Sequence, residues 1–218
     1  MTRDARYPAA LLALFTVWWL ALAIDPNYRQ DWLLENMLVF AAVPMLVLTY
    51  RSLRFSNAAY TCLFLFFALH AVGAHYTYSL VPYDAWSEAI FGTPFNTLIG
   101  WERNQFDRMV HFLYGVLMMP AAVELFAAKA PPTGVWRFLM PLFFMNSHAV
   151  IYETIEWLAA EAFGGELGEA YLGTQGDPFD AQKDMALAMA GSLLALAFIF
   201  WRKRGRRAPA TTPAMPPA

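Results

Sequence analysis

Cysteine is nearly absent from this chain, and charged residues are scarce. The one cysteine, Cys62, lies in an apolar run, so the sequence can form no disulfide within the chain and no cysteine-based metal site. Charged residues make up 15% of the 218 residues, compared with about 25% in an average soluble domain. The net charge of −2 argues against nucleic acid as the main partner, because nucleic-acid binding depends on basic surfaces.

Apolar and aromatic residues are abundant instead. The chain is 59% hydrophobic, with a mean hydropathy of +0.38, and 17% of its residues are aromatic, including 8 Trp. Trp and Tyr are typical of the two interfaces of a bilayer. The composition therefore predicts an integral membrane protein whose surroundings are the lipid bilayer, and the length suits one compact bundle.

Six stretches are candidate transmembrane helices, which need about 20 mostly apolar residues. They are residues 8–24, 32–50, 57–80, 107–128, 135–160 and 184–201. We therefore predict an all-α fold, a polytopic membrane helical bundle of about six transmembrane helices that forms a single domain over residues 1–207. Residues 208–218 contain mainly Pro, Ala and Thr without a pattern and are predicted to be a disordered C-terminal tail.

The distribution of Lys and Arg predicts the orientation. The ends of the six helices on one side carry 11 of the 15 Lys and Arg residues, so the positive-inside rule places that side, with both termini, in the cytoplasm. An even number of spans agrees with this placement. The first helix could instead be a signal peptide, with Arg3 and Arg6 before it and Ala21-Leu22-Ala23 as a cleavage site, although its apolar stretch is long for that role.

Polar residues collect near the predicted outer ends of four segments. Asp107 and His111, at the start of the fourth helix, are four residues apart and share a helix face. Tyr152 and Glu156 have the same spacing on the fifth helix. Three aspartates before and within the sixth helix are spaced by three and four residues, as on one helical stripe. These are Asp177, Asp180 and Asp184.

Each of these residues also has a purely structural interpretation. Asp107 could cap the fourth helix, and Asp184 could be stabilised by the helix dipole in the first turn of the sixth. Arg108 could extend its side chain to the interface, and His148 could be a hydrogen-bonded bundle residue. The concentration of so many groups at one face nevertheless favours a shared polar site, because ionisable residues in membranes are usually functional.

The polar groups suit a site that binds or processes a lipid or cell-envelope head group. Cationic side chains there can hold a phosphate, and a histidine or glutamate can act as acid or base. No serine or cysteine nucleophile stands beside a histidine, so hydrolysis by an activated water is the expected class if there is chemistry; the sequence does not establish that the protein is an enzyme. The candidate catalytic residues are Asp107, His111, Glu156 and Asp184, and the candidate substrate-binding residues are Arg108, Tyr114, Gln182 and Lys183.

Imidazole and carboxylate ligands also suit a divalent metal such as Zn or Mn. The sequence has no H-E-x-x-H or comparable spacing, so a metal is one alternative and the cofactor stays unknown. Besides His111, Glu156 and Asp184, the candidate metal ligands are His75, Glu153, Asp177 and Asp180.

The motifs resemble a known family. Residues 104–115, NQFDRMVHFLYG, resemble the opening of a VanZ-like helix. Residues 171–185, YLGTQGDPFDAQKDM, together with His70, residues 74–78 and residues 152–157, resemble the YjdF-like family of bacterial inner-membrane proteins. The resemblance implies a multi-pass protein of the bacterial inner (plasma) membrane. It implies no activity, because neither family has a settled biochemical mechanism.

Other functions stay open at this point. A proton-coupled transporter would use buried acids and histidines as a relay, but the ionisable groups lie at one face and no inverted repeat is evident. A non-catalytic scaffold would use the polar groups only to brace helix ends. Ligation of haem by two histidines is a weaker alternative, because His70 and His75 point to different sides of a helix.

Overall fold

The computed structural model describes residues 5–205, except for the side chains of residues 166, 167, 169, 170, 204 and 205. Within this part the chain is helical and contains no β-strand, which confirms the predicted all-α class. The predicted disordered tail, residues 208–218, lies outside the described residues.

Each of the six predicted apolar stretches forms a helix. The α-helices are α1 (Arg6–Leu22), α2 (Arg29–Thr49), α3 (Asn57–Tyr76), α4 (Tyr83–Phe91), α5 (Phe95–Ile99), α6 (Phe106–Lys129), α7 (Trp136–Phe163), α8 (Gly165–Leu172) and α9 (Asp180–Gly205). The predicted stretches correspond to α1, α2, α3, α6, α7 and α9. The two long connections expected from the sequence contain α4, α5 and α8, together with a short 3₁₀ helix at Tyr78–Leu80.

Four of these helices are long and apolar enough to cross a membrane by length and composition, namely α2, α3, α6 and the Asp180–Lys203 part of α9. Helix α1 has 17 residues, or about 26 Å of helix, which is slightly less than the about 30 Å of a bilayer core. Helix α7 has 28 residues and carries acidic residues in its second half. The count of six spans and the cytoplasmic placement of both termini stay predictions.

Helix α6 packs against α9, α3 and α7, and its contact with α9 is the most extensive in the described part of the bundle. A methyl group at Gly115 of α6 would meet the backbone of Ala188 and Ser192 on α9, and one at Gly191 would meet the carbonyl group of Phe112. Glycine at both positions therefore lets the two backbones touch, as small residues do in membrane bundles. Both helices begin at the same end of the bundle, so their first turns lie side by side.

The end of the bundle at which α6 and α9 begin also carries α4, α5 and α8, and we call it the loop-rich end. Asn104 Nδ2 donates a hydrogen bond to the Val81 carbonyl oxygen over 2.8 Å, and Tyr83 Oη donates to Asn96 Oδ1 over 2.7 Å. Asn27 N donates to the His75 carbonyl oxygen over 2.9 Å, so the connection between α1 and α2 lies at this end too. These bonds fix the connections around the first turns of α6 and α9.

Candidate functional site

Four side chains from three helices meet at the loop-rich end. Asp107 and His111 lie on α6, Glu153 on α7 and Asp184 on α9, and we call them the polar cluster. His111 Nε2 lies 3.4 Å from Asp107 Oδ1 and 3.5 Å from Glu153 Oε1. Asp107 and Asp184 each have a carboxylate oxygen, and His111 has a ring nitrogen, that lie within 4.8 Å of one another. The tight α6–α9 packing brings these groups together, because His111 lies one turn and Asp107 two turns before Gly115 in the helix.

The polar cluster is buried and carries an excess of carboxylates. Asp184 is 2% exposed, His111 8% and Glu153 9%. Among the described residues, Glu153 Oε1 and Asp184 Oδ1 are buried oxygens without a hydrogen-bond partner. An unpaired buried carboxylate is costly in an apolar interior, and three carboxylates face one imidazole here. The arrangement therefore calls for a proton, a cation or a polar ligand group between them.

The structural interpretation of Asp107 does not fit the geometry. The N-cap of α6 is Gln105, which makes no side-chain capping bond, and Asp107 faces His111 one turn along the helix. Asp107 is therefore a member of the polar cluster and not a capping residue.

A second group, the ion-pair network, lies beside the polar cluster. Asp180 accepts hydrogen bonds from Arg103 Nη1 at 2.7 Å, from Arg103 Nη2 at 3.2 Å and from Arg108 Nη2 at 2.8 Å. Asp177 accepts from Arg108 Nη2 and from Lys183 Nζ, both at 2.5 Å. The lysine bond, the Phe179 backbone N–H and Arg108 hold the pKa of Asp177 well below its ordinary value. Asp177 and Asp180 are thus charge-balanced.

The aspartate stripe expected from the sequence is consequently divided. Helix α9 begins at Asp180, so Asp177 lies in the preceding turn and pairs with Arg108 and Lys183. Asp184, one turn into α9, points instead to the polar cluster. The two arginines are largely occupied by these aspartates, which leaves Lys183, at 49% exposure, as the more accessible cation.

Helix α2 contributes acids that the sequence reasoning missed. Asp31 and Glu35 are 0% and 3% exposed. Glu35 Oε2 accepts a hydrogen bond from Tyr152 Oη at 2.7 Å, and Glu35 interacts electrostatically with Asp107 and His111. Their spacing of four residues, which places both on one helix face, was the available signal. Both acids lie at the start of an apolar run whose hydropathy indicates a membrane helix.

Histidine and tyrosine side chains surround these acids. His70 Nε2 lies 3.1 Å from the Glu35 carbonyl oxygen, and His70 Nδ1 is hydrogen-bonded to Tyr78 Oη. Burial raises the pKa of Tyr78 and of Tyr171, so both phenols are protonated at neutral pH. The polar cluster therefore continues towards α2 through a layer of hydrogen-bond donors.

A cavity of about 320 Å³ lies between α2, α3, α6 and α7. Its polar end is formed by His70, Tyr78, His111 and Tyr152. The rest of its wall is mostly apolar. That wall includes Leu38, Leu46, Phe55, Leu63, Phe66, Met118, Ala121, Ala122, Leu125 and Met145. His111 belongs both to the cavity wall and to the polar cluster, so the two are continuous.

The cavity opens sideways between α2 and α7. Met45 on α2 and Ile151 and Ile155 on α7 line the cavity and are each more than half exposed. The cavity is therefore open on the side of the bundle between α2 and α7.

The remaining predicted site residues lie at or around this region. Glu156 is half-buried on α7 and close enough to Glu153 and Glu35 to interact electrostatically. Tyr114 lines the cavity and donates to the Met145 carbonyl oxygen over 3.3 Å, whereas Gln182 is exposed. His75 lies apart, with Nδ1 2.8 Å from the carbonyl oxygen of Leu22. Of the four additional metal ligands named from the sequence, Glu153 is the one that the structure brings into the polar cluster.

Comparison with known proteins gives a family and a compartment. The family described as "Predicted membrane protein (DUF2238)" matches residues 7–205. The chain is 33% identical over 178 residues to the inner membrane protein YjdF of Escherichia coli (strain K12), covering 81% of this chain and 80% of that protein. No solved structure matches. The YjdF-like resemblance and the inner-membrane localisation are confirmed, and the VanZ-like resemblance stays a prediction. The chain belongs to the DUF2238 family of predicted membrane proteins.

Proposed function

We propose that this inner-membrane protein binds an amphipathic lipid or lipid-linked cell-envelope molecule. The apolar chain would occupy the cavity, and the head group would lie at the polar cluster. The observation that carries the proposal is the continuity of the two, since His111 belongs both to the apolar cavity and to a buried group of carboxylates.

The shape of the cavity supports an apolar chain as the occupant. Its volume of about 320 Å³ lies at the lower end of the about 300–1,000 Å³ of small-molecule sites. The side opening past Met45, Ile151 and Ile155 would let a membrane lipid enter without leaving the bilayer. Water has little to bind along the apolar wall, whereas a hydrocarbon chain buries its surface there at about 25 cal/mol per Å².

The polar end supports a head group with hydrogen-bonding capacity. Tyr152 and His111 reach the cavity, and the carboxylates behind them have oxygen atoms free of partners among the described residues. His111 lies between two carboxylates, an arrangement that holds the imidazole in one orientation at the end of the cavity. If the bound lipid is also processed, the polar cluster is the place where a water molecule would be activated.

Proton-coupled transport has less support. From His111 to Glu124 along α6 is about 20 Å of helix. The cavity wall beside that stretch is mostly apolar, with Met118, Ala121 and Ala122, and its polar side chains are Tyr114 and His148. A proton relay needs polar groups or water along its path. Glu124 itself accepts hydrogen bonds from Ser56 N and Oγ at the other end of α3, so its contacts are those of a structural residue.

The proposal is tested by the lipid that stays with the purified protein. Ala42 lines the cavity and Ala41 is exposed on the same helix, so Ala42→Phe should fill the cavity while Ala41→Phe adds the same side chain outside it. After purification in mild detergent and organic extraction, mass spectrometry should find one lipid class enriched with the parent and with Ala41→Phe, and reduced at least fivefold with Ala42→Phe. Equal amounts in all three proteins, or no enrichment over an unrelated inner-membrane protein, would refute it.

A further inference from the structure

We infer that the polar cluster is a divalent transition-metal site, with Asp107, His111 and Asp184 as ligands and Glu153 beside them. This inference deepens the proposed function, because the cation would lie where the head group is proposed to bind. It rests on a different observation, the geometry of the ligand atoms, and can therefore fail separately.

The distances between the ligand atoms fit one metal ion. In a tetrahedral site with metal–ligand distances of about 2.1 Å, neighbouring ligand atoms are about 3.4 Å apart. His111 Nε2 lies 3.4 Å from Asp107 Oδ1 and 3.5 Å from Glu153 Oε1. Asp107, His111 and Asp184 each offer one ligand atom within 4.8 Å of the other two, and Glu153 lies beside this set through its contact with His111.

The two oxygens without partners provide independent support. Asp184 Oδ1 and Glu153 Oε1 are buried and accept no hydrogen bond from the described residues, and both residues are more than nine-tenths buried. Arg108, the nearest arginine in the sequence, is engaged by Asp177 and Asp180. Among the described residues, His111 is the one side chain of the polar cluster that can carry a positive charge, and Arg108 also interacts electrostatically with Asp184. Three carboxylates face this one imidazole, so a doubly charged ion bound in place of its proton would balance more of their charge than the proton does.

The donor set indicates which cations fit. One imidazole and several carboxylates suit Zn²⁺ or Mn²⁺, whereas Ca²⁺ and Mg²⁺ prefer oxygen ligands alone. No thiolate is near, since Cys62 lies in the second turn of α3, whereas the loop-rich end of the bundle holds the last turn of that helix. Such a cation at the end of the apolar cavity would bind the phosphate or another anionic group of a lipid. The ligand of the proposed function would then be a lipid with an anionic head group.

The site is tested with the full-length protein, carrying an affinity tag without histidines, treated with a chelator and dialysed. Titration calorimetry with ZnCl₂ and with MnCl₂ should show about one equivalent of binding for at least one of the two metals. Asp184→Asn and His111→Gln should weaken that binding at least tenfold. Asp177→Asn, which changes a carboxylate of the neighbouring ion-pair network, should bind as the parent does.

Two further measurements keep the test decisive if a variant folds poorly. Zn²⁺ or Mn²⁺ should raise the melting temperature of the parent and of Asp177→Asn but not of Asp184→Asn. Co²⁺ added to the metal-free parent should give the visible absorption of a site with nitrogen and oxygen ligands. Absence of binding by the folded parent, or equal loss in Asp177→Asn, would overturn the inference.

The lipid experiment separates this inference from the proposed function. Ala42→Phe alters the cavity and leaves the metal ligands in place, so it should bind the metal as the parent does while losing the lipid. A parent that retains the lipid but binds no metal would overturn the metal site alone.

Discussion

Replacing Asp180 by asparagine should destabilise the protein more than replacing an exposed residue of the ion-pair network. The side chain of Asp180 is 4% exposed and those of Arg103 and Arg108 are 16% and 18% exposed. Asp180 accepts three hydrogen bonds from these two guanidinium groups. The variant keeps the shape of the side chain but removes the negative charge that both arginines share.

The size of the effect follows from burial and from the remaining partner. Removing one partner of a buried ion pair costs about 3–5 kcal/mol, whereas an exposed pair contributes about 0–1 kcal/mol. In the parent, Asp177 contacts Arg108 at 2.5 Å and Arg103 at 3.7 Å. Because the substitution leaves Asp177 as a partner for both arginines, we expect a smaller cost of about 2–3 kcal/mol. For a chain of this size that loss corresponds to about 5–10 °C in the melting temperature.

The single cysteine provides the assay. Cys62 is half-buried in α3 and is the one thiol in the chain, so a thiol-reactive fluorescent dye reports unfolding in detergent. Lys183→Gln is the control, because Lys183 belongs to the same network but is half-exposed and should cost less than about 1 kcal/mol. The reasoning is refuted if Asp180→Asn melts within about 2 °C of the parent, or if Lys183→Gln costs as much.

The same thermal assay tests three further expectations. Gly115→Ala should lower the melting temperature, because its methyl group meets the backbone of α9 and overpacking costs about 1–3 kcal/mol. Ala190→Leu, on the exposed face of α9, should change the melting temperature little. Equal effects of the two variants would contradict the close approach of α6 and α9. The contacts of Asp177 lower its pKa in the folded state, so the charged carboxylate stabilises the fold fully above the unfolded pKa of about 3.9. This stabilisation is lost as the pH falls through the lower folded pKa. The parent should therefore lose more stability than Asp177→Asn between pH 5 and pH 3, and parallel losses would contradict this. Tyr152→Phe should lower the free energy of unfolding by about 1–3 kcal/mol, because it removes the hydrogen bond to the buried Glu35 carboxylate. An unchanged melting temperature would contradict this expectation.

The sequence predicted the helices because their signal is local. Long apolar runs bounded by Pro or charged residues identify a membrane helix without knowledge of its neighbours. All six runs form helices, and those at α2, α3, α6 and α9 also meet the criteria for a membrane span. The short helices in the long connections were missed, since α5 has only five residues and such segments form through tertiary contacts.

The candidate site was predicted only in part, because its members are distant in the chain. The spacing of Asp107 and His111 shows that they share a face, but no local pattern shows that Asp184 joins them while Asp177 and Asp180 pair with arginines. That division depends on the contact between α6 and α9, which Gly115 permits. The acids of α2 were missed for a similar reason, since α2 packs against α3 and α8 and Glu35 meets Tyr152 of α7 from a distant part of the chain.

Cross-linking inside the cavity would show whether the chain of a specific lipid lies there. A photoreactive benzoyl-phenylalanine in place of Met118 would lie in the cavity wall, and the same residue in place of Met189 would lie on the exposed face of α9. After irradiation in native membranes, mass spectrometry should find one lipid class attached at position 118 and the mixed bulk phospholipids at position 189. The same bulk mixture at both positions, or no lipid adduct at position 118, would contradict the account.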